Sequence, residues 1–318
     1  MVIASHLYKQ IRYNLPVMRR ALLIVMKIAI VLGLILIGFE LAIASYPPLA
    51  GAVVWLSASK GSQCNLLETI STVAFEQERA KAMHRIQAST RIVAQDGELR
   101  LLDIPGARQV WVLKPIDEGL ILGVFGEELA DEYRLSAYMR PGDIVLDVGA
   151  DFGSVTWQAL RSGAQRVIAI EVAPQKWPCL NRTFAEEIAE GRVTVVQAGA
   201  WDRESVLELD ADSVVLDRGA TKQRVRVTTI DQMVSELHLP RVDFITMDIE
   251  GAEKAALRGA AGTLRKFKPR MAISSEHLGD DVVAIRQTVR AIVPDYEVIC
   301  GRCTRKDNRL LAGVLWFK

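Results

Sequence analysis

From Asp143 to the C-terminus the chain alternates short runs rich in Val and Ile with amphipathic stretches, and this rhythm restricts the fold more than any other feature. Asp143–Val148, Arg166–Glu171, Arg192–Gln197, Val242–Met247 and Arg270–Ser275 read as strands. Ser154–Ser162, Pro174–Glu190, Ile230–His238, Ala252–Phe267 and Asp280–Val293 read as helices between them. Val206–Leu209 and Arg224–Thr228 are strand-like pieces flanking a loop, and Tyr296–Ile299 and Leu310–Phe317 close the pattern as strands. Alternation at this spacing predicts an α/β domain over 140–318, with a mostly parallel sheet covered by helices on both faces. Ligands of such sheets sit at the carboxyl ends of the strands, near the point where strand order reverses.

Three groups of residues fall on that rim. The loop Asp147-Val-Gly-Ala-Asp-Phe-Gly153 lies where the first strand ends and a helix begins. Gly149 suits a tight turn, Gly153 suits close backbone approach, and the helix N-terminus adds partial positive charge. The second strand ends about twenty residues on, at Glu171, an acid placed to accept hydrogen bonds from ribose hydroxyls. A dinucleotide site expects G-x-G-x-x-G, and the middle glycine is missing, with Asp151 in that region. A pyrophosphate is repelled by Asp151, whereas a sulfonium cation is attracted by Asp147 and Asp151. An NAD-dependent reading is therefore disfavoured. The second group is Asp248-Ile-Glu-Gly-Ala-Glu253, with three acids just past a hydrophobic strand. Helix capping explains Glu250 or Glu253; the alternative to capping alone is a role of the cluster in ligand binding or proton transfer. The third is Ile273-Ser-Ser-Glu-His277 at the end of the next strand, where His277 could serve as a general base near neutral pH.

The stretch from about Glu127 onward resembles the FkbM family of methyltransferases. The matching pieces are Arg140-Pro-Gly-Asp-Ile-Val-Leu-Asp-Val-Gly-Ala150, Val167-Ile-Ala-Ile-Glu-Val-Ala-Pro174 and Arg241-Val-Asp-Phe-Ile-Thr-Met-Asp-Ile-Glu-Gly-Ala-Glu253. The resemblance implies a class I methyltransferase (Rossmann-like) fold, S-adenosylmethionine as donor, and usually O-methylation of a sugar, polyketide or related hydroxyl. It implies that Asp147, Gly149 and Gly153 contact the methionine part, with Ala150 on the same loop, and Glu171 the ribose. Ala200 and Trp201, after the third strand, fall where adenine contacts are expected. The sequence departs from the family at Asp151, where Asn is common. Methyl transfer to a hydroxyl needs in-line positioning and one base. Asp248, Glu250 and His277 are the candidates, with His277 favoured on chemical grounds. An acidic pair could hold a divalent ion, but nothing in the sequence requires a metal and none is assigned.

The N-terminal part is different in character. Residues 1–20 form a basic lead-in, and between Ala21 and Leu56 only Lys27 and Glu40 are charged. Ala21–Tyr46 is long enough to span a bilayer, which predicts a membrane anchor over 21–59. Pro47-Pro48 breaks the segment, so a single-pass or hairpin anchor is expected. Lys9, Arg12, Arg19 and Arg20 precede it and only Lys60 follows closely, which puts the N-terminus in the cytoplasm. A single span would then export the C-terminal domain. A donor made in the cytosol favours a cytoplasmic domain, which a hairpin would allow. Residues 60–139 read as a stalk helix over about 62–88 and a small strand-rich lead-in. Asp96-Gly97 marks a hairpin, Gln109–Leu113 a strand, and Glu127–Met139 a helix.

The net charge of +1 and the sparse aromatics exclude a general nucleic-acid binder. The four cysteines are too few for a disulfide scaffold, and Cys300-Gly-Arg-Cys303 reads as two ordinary thiols. The leading expectation is a membrane-anchored methyltransferase acting on a lipid-linked, sugar or other small hydroxyl acceptor. The second is a catalytically inactive methyltransferase-like domain that serves as a structural or assembly subunit of a membrane complex.

Overall fold

The computed structural model describes residues 46–58, 62–114, 118–209, 223–306 and 308–318, with isolated positions 26, 27, 30, 32 and 33. Most of the expected membrane segment 21–59 therefore lies outside the described residues. Its described part includes α1 (Pro47–Ser57), which begins at the proline pair. Proline suits a first helical turn, where its missing N–H has no partner to lose. Among the described residues no helix is long and apolar enough to cross a membrane.

α2 (Leu66–Ser89) starts at a capping box, in which Asn65 Oδ1 accepts from Glu68 N and Glu68 Oε2 accepts from Asn65 N. Next come β1 (Arg91–Asp96), β2 (Leu99–Asp103) and β3 (Gln109–Leu113), an antiparallel sheet whose first turn lies at Gly97, as the Asp-Gly pair predicts. The helix expected over Glu127–Met139 is instead two. α3 (Glu118–Leu129) ends before Asp131, and α4 (Leu135–Tyr138) follows Arg134. Asp131 and Arg134 both adopt positive φ, which breaks the helix between them.

The parallel layer then unfolds in chain order: β4 (Ile144–Val148), α5 (Ser154–Arg161), β5 (Arg166–Ile170), α6 (Trp177–Thr183), α7 (Ala185–Ala189), β6 (Val193–Val196), β7 (Gly199–Ala200), β8 (Ser205–Leu209) and β9 (Gln223–Thr228). After them come α8 (Ile230–Glu236), β10 (Phe244–Met247), α9 (Glu253–Arg258), α10 (Ala261–Phe267), β11 (Arg270–Ser274), α11 (Asp281–Ile292) and β12 (Val298–Cys300). The chain ends with β13 (Cys303–Lys306), β14 (Arg309–Ala312) and β15 (Val314–Phe317). The run expected as one strand over Leu310–Phe317 is thus divided at Gly313, and β13 pairs back on β14.

The central sheet has the order β12-β15-β11-β10-β4-β5-β6. β11, β10, β4, β5 and β6 are mutually parallel, and β15 runs antiparallel between β11 and β12. Every residue of β4 is buried, because helices cover both faces. Leu146, Val148, Ile168, Ile170, Ile245 and Met247 form the core under α8 and α11, while Val145, Val167 and Phe244 pack on the other side. Strand order reverses between β4 and β10. This is an α/β fold with a mostly parallel central sheet, as the sequence rhythm predicts.

The C-terminal hairpin ties the lead-in to this domain. Cys303 is joined to Cys64 by a disulfide, with Cα atoms 6.3 Å apart. Cys303 N donates to Thr72 Oγ1 of α2 at 2.7 Å, and Gln63 N donates to Leu310 O at 2.7 Å. The reading of Cys303 as an ordinary thiol is therefore corrected, while Cys300 stays a free thiol. The partner of Cys303 lies 239 residues away in sequence, so spacing could not disclose it. A cross-link over so long a loop strongly restricts the unfolded chain. Replacing both Cys64 and Cys303 by Ser is expected to lower stability by about 2–5 kcal/mol in thermal or denaturant unfolding. Peptide mapping that finds four free thiols in oxidised, folded protein would contradict the pairing.

Candidate active site

The loop after β4 is shaped by its neighbour. Gly149 has φ +93°, and a Cβ there would overlap the carbonyl oxygen of Asp248 at the end of β10. Gly149 N and Ala150 N both donate to Ile170 O, which locks the loop across the end of β5. Gly153 also has positive φ, but its missing side chain makes room for the Phe184 ring and Leu180 of α6, not for a ligand.

A cavity of about 410 Å³ opens beside this loop, within the usual range of small-molecule sites. Asp147, Gly149, Ala150, Glu171, Ala200 and Trp201 all line it, whereas Gly153 stands behind the wall. The Asp147 carboxyl is 1% exposed and accepts from Thr156 Oγ1 (2.5 Å) and Thr246 Oγ1 (3.2 Å). Burial pushes its pKa up to about 6 in spite of these hydrogen bonds. Glu171 accepts from Asp151 N (2.8 Å) and Ala173 N (2.7 Å), so backbone amides aim its carboxylate at the cavity. Burial nevertheless raises its pKa, with the charge of Lys176 opposing the rise. Asp151 pairs with Lys176, so its charge is answered from within the protein.

Asp248, Glu250 and His277 meet at the opposite rim. His277 Nε2 lies 3.2 Å from Asp248 Oδ1 and 3.4 Å from Glu250 Oε2, and Nδ1 lies 3.1 Å from Glu253 Oε1. A neutral imidazole carries one N–H, so carboxylates on both nitrogens favour the charged ring. Burial disfavours that charge, but the hydrogen bonds to Asp248 and Glu253 outweigh it and push the pKa up to about 11. Asp248 is also held by Tyr133, whose hydroxyl donates to Oδ2 at 2.7 Å. Burial raises the Asp248 pKa, yet the bonds from His277 and Tyr133 prevail and keep it below its ordinary value. Asp248, Glu250 and His277 each offer a ligand atom within 4.8 Å of the others, a spacing a divalent cation could bridge only after displacing the imidazole proton.

Several wall residues carry no sequence motif. Tyr133, Glu127, Glu128 and Glu132 come from the α3–α4 region, and Lys176 from the turn before α6. Their one signal is a run of acids, Glu127, Glu128, Asp131 and Glu132, inside an otherwise apolar stretch. Arg302 reaches in from the C-terminal hairpin to pair with Glu132 at 2.5 Å and Glu276 at 2.8 Å.

Residues 147–293 match the family model described as the methyltransferase FkbM domain. Among solved structures, a methyltransferase FkbM from Methylobacillus flagellatus KT shares 22% identity at a TM-score of 0.43, over 64% of this chain and 56% of that one. The precorrin-6y C5,15-methyltransferase of Geobacter metallireducens GS-15 shares 14% identity at a TM-score of 0.38, over 60% of this chain and 86% of that one. The chain thus spans 56% of the length of the first of these. No curated protein matches it. Over residues 147–293 the chain is thus similar to the methyltransferases of the FkbM family, for which S-adenosylmethionine is the expected cofactor.

Two outcomes follow from this geometry. Gly149→Ala is expected to cost about 1–3 kcal/mol in thermal unfolding, because the β4 loop must leave either its conformation or Asp248. An unchanged melting temperature would contradict the close approach. The His277 pKa is raised from 6.5, so the stability its charge contributes is complete below that value and is lost as pH rises through about 11. The ¹⁵N shifts of the His277 ring should therefore still report an imidazolium at about pH 8, where a free histidine is neutral.

Proposed function

We propose that the domain transfers a methyl group from S-adenosylmethionine to a hydroxyl of a lipid-linked or otherwise amphiphilic acceptor, at a membrane to which the segment 21–59 anchors it. The observation that carries the reading is the acid-lined cavity at the strand-order reversal, with Glu171 on one wall and Asp248 on the other. The chain's residues fit the donor on two counts. Glu171 keeps lone pairs for ribose hydroxyls beyond those its two amides occupy. Asp147 has only hydroxyl partners, so it is free to face a cation.

When bound, the donor supplies an electrophilic methyl on a sulfonium. The protein's part is placement and proton handling. Asp248 stands partly exposed at the cavity, ionised and oriented by Tyr133 and His277. It keeps lone pairs beyond those that Tyr133 and His277 occupy, so it is placed to take the acceptor's proton. Glu250 is mostly exposed and lies farther along the rim. His277 enters as a cation, so it acts as a base only after its proton has left, and until then it holds Asp248 in position. The amphiphilic acceptor is inferred from the anchor and from the apolar face of α1, where Trp55 and Leu56 are exposed.

A second reading is favoured by the Cys64–Cys303 disulfide. Disulfides persist on the oxidising side of a membrane, the side to which the basic residues before the apolar segment direct a single span. There a methyltransferase-like domain lacks cytosolic donor and serves as a structural or assembly subunit.

Calorimetry with S-adenosylmethionine on the full chain in detergent separates the two readings. Binding is expected, and Glu171→Ala should weaken it about tenfold or more. Labelled methyl should then appear in the lipid-extractable fraction of membranes that carry the protein. Folded protein that gives no binding heat supports the subunit reading instead.

A further inference from the structure

One carboxylate in the cavity wall has no counterpart. Glu128 lies in the last turn of α3, 2% exposed, and lines the cavity. Its Oε2 is buried and has no hydrogen-bond partner among the described residues. The other wall acids are answered, apart from Asp147: Asp151 by Lys176, Glu171 by two amides, Asp248 by Tyr133 and His277, Glu250 by His277, Glu127 by Arg79, and Glu132 by Arg302. Asp147 has two threonine hydroxyls but no cation. A buried carboxylate without donors is costly, and the cost falls only when a ligand supplies them.

We propose that Glu128 binds the α-ammonium of the methionine part of S-adenosylmethionine. This rests on the donor assignment above and extends it to a residue outside the matched segment 147–293. Among the described residues three cavity carboxylates have no ion-pair partner, Glu128, Asp147 and Glu171; two backbone amides hold Glu171, and the donor carries two cationic centres for the other two. The vacancy at Glu128 is one of hydrogen bonding. A sulfonium has no N–H and cannot fill it, whereas an ammonium offers three donors. Asp147, already hydrogen-bonded, needs only charge, which suits the sulfonium. Burial, together with the charges of Glu132 and Asp147, drives the Glu128 pKa well above the ordinary carboxylate range. Seating an ammonium beside this side chain opposes that rise and favours its ionised form.

Glu128→Gln tests this with the full chain and no acceptor present. Titration calorimetry is run with S-adenosylmethionine and with S-adenosylhomocysteine, in buffers of different ionisation enthalpy. The wild type should release more protons on binding than the variant does. The variant should bind both ligands about 10- to 100-fold more weakly, because both keep the ammonium. Without ligand the variant should melt no lower than the wild type above neutral pH, since it removes a buried unpaired acid. A variant that binds both ligands as the wild type does overturns the assignment while the donor reading stands. Selective loss of S-adenosylmethionine places Glu128 on the sulfonium and also overturns it. Wild-type protein that binds neither ligand overturns both assignment and donor reading. A variant that is less stable without ligand shows a structural role and counts against the assignment.

Discussion

The contact on which the site depends is the one between Gly149 and the Asp248 carbonyl. β4 and β10 are parallel neighbours, paired from Phe244–Val145 to Met247–Val148. They end together, and the chain leaves them in different directions because strand order reverses between them. The two exit loops must pass at van der Waals distance, which a Cβ at residue 149 would prevent. That approach sets Asp147 and Asp248 on facing parts of one rim. Glu171 joins them because Gly149 N and Ala150 N hold the loop over the end of β5.

A rim so rich in acids is stable only if its charges are distributed. Three cations from three parts of the chain do this. Lys176 answers Asp151, the His277 imidazolium lies between Asp248 and Glu253, and Arg302 pairs with Glu132 and Glu276. Arg302 is held next to Cys303, whose disulfide fixes the hairpin to the residues just before α2. The far N-terminal part of the domain thus contributes to the electrostatics of the cavity through a covalent link and one guanidinium. The acids that the protein leaves without a cation at Asp147 and Glu128 are opposite in sign to the cationic centres of the expected donor.

Much of the sheet is legible along the chain because strand and helix periods are local. β3 spans the five residues Gln109–Leu113 read from the sequence, and β4, β5, β6, β10 and β11 fall within a residue or two of the expected runs. Helices were less legible where a single backbone angle interrupts them. Positive φ at Asp131 and Arg134 divides the α3–α4 region, and Pro174–Glu190 folds as a short 3-10 turn followed by two helices. The rim acids and His277 could be placed together because each follows a strand of the same sheet.

The sequence by itself determined which strands would end in chemically useful residues, since side-chain alternation and turn residues are encoded locally. Asp147, Glu171, Asp248 and His277 follow from that alone. Only the tertiary structure decided what state those residues are in. His277 is an imidazolium because carboxylates from two turns of the β10–α9 region flank it, and Asp151 is neutralised because Lys176 turns back over the loop. Cys64 and Cys303 meet across 239 residues, and Glu128 becomes a cavity wall only when α3 packs against α5 and the loop after β4. Charge state and solvation depend on neighbours in space, and no pattern along the chain carries them.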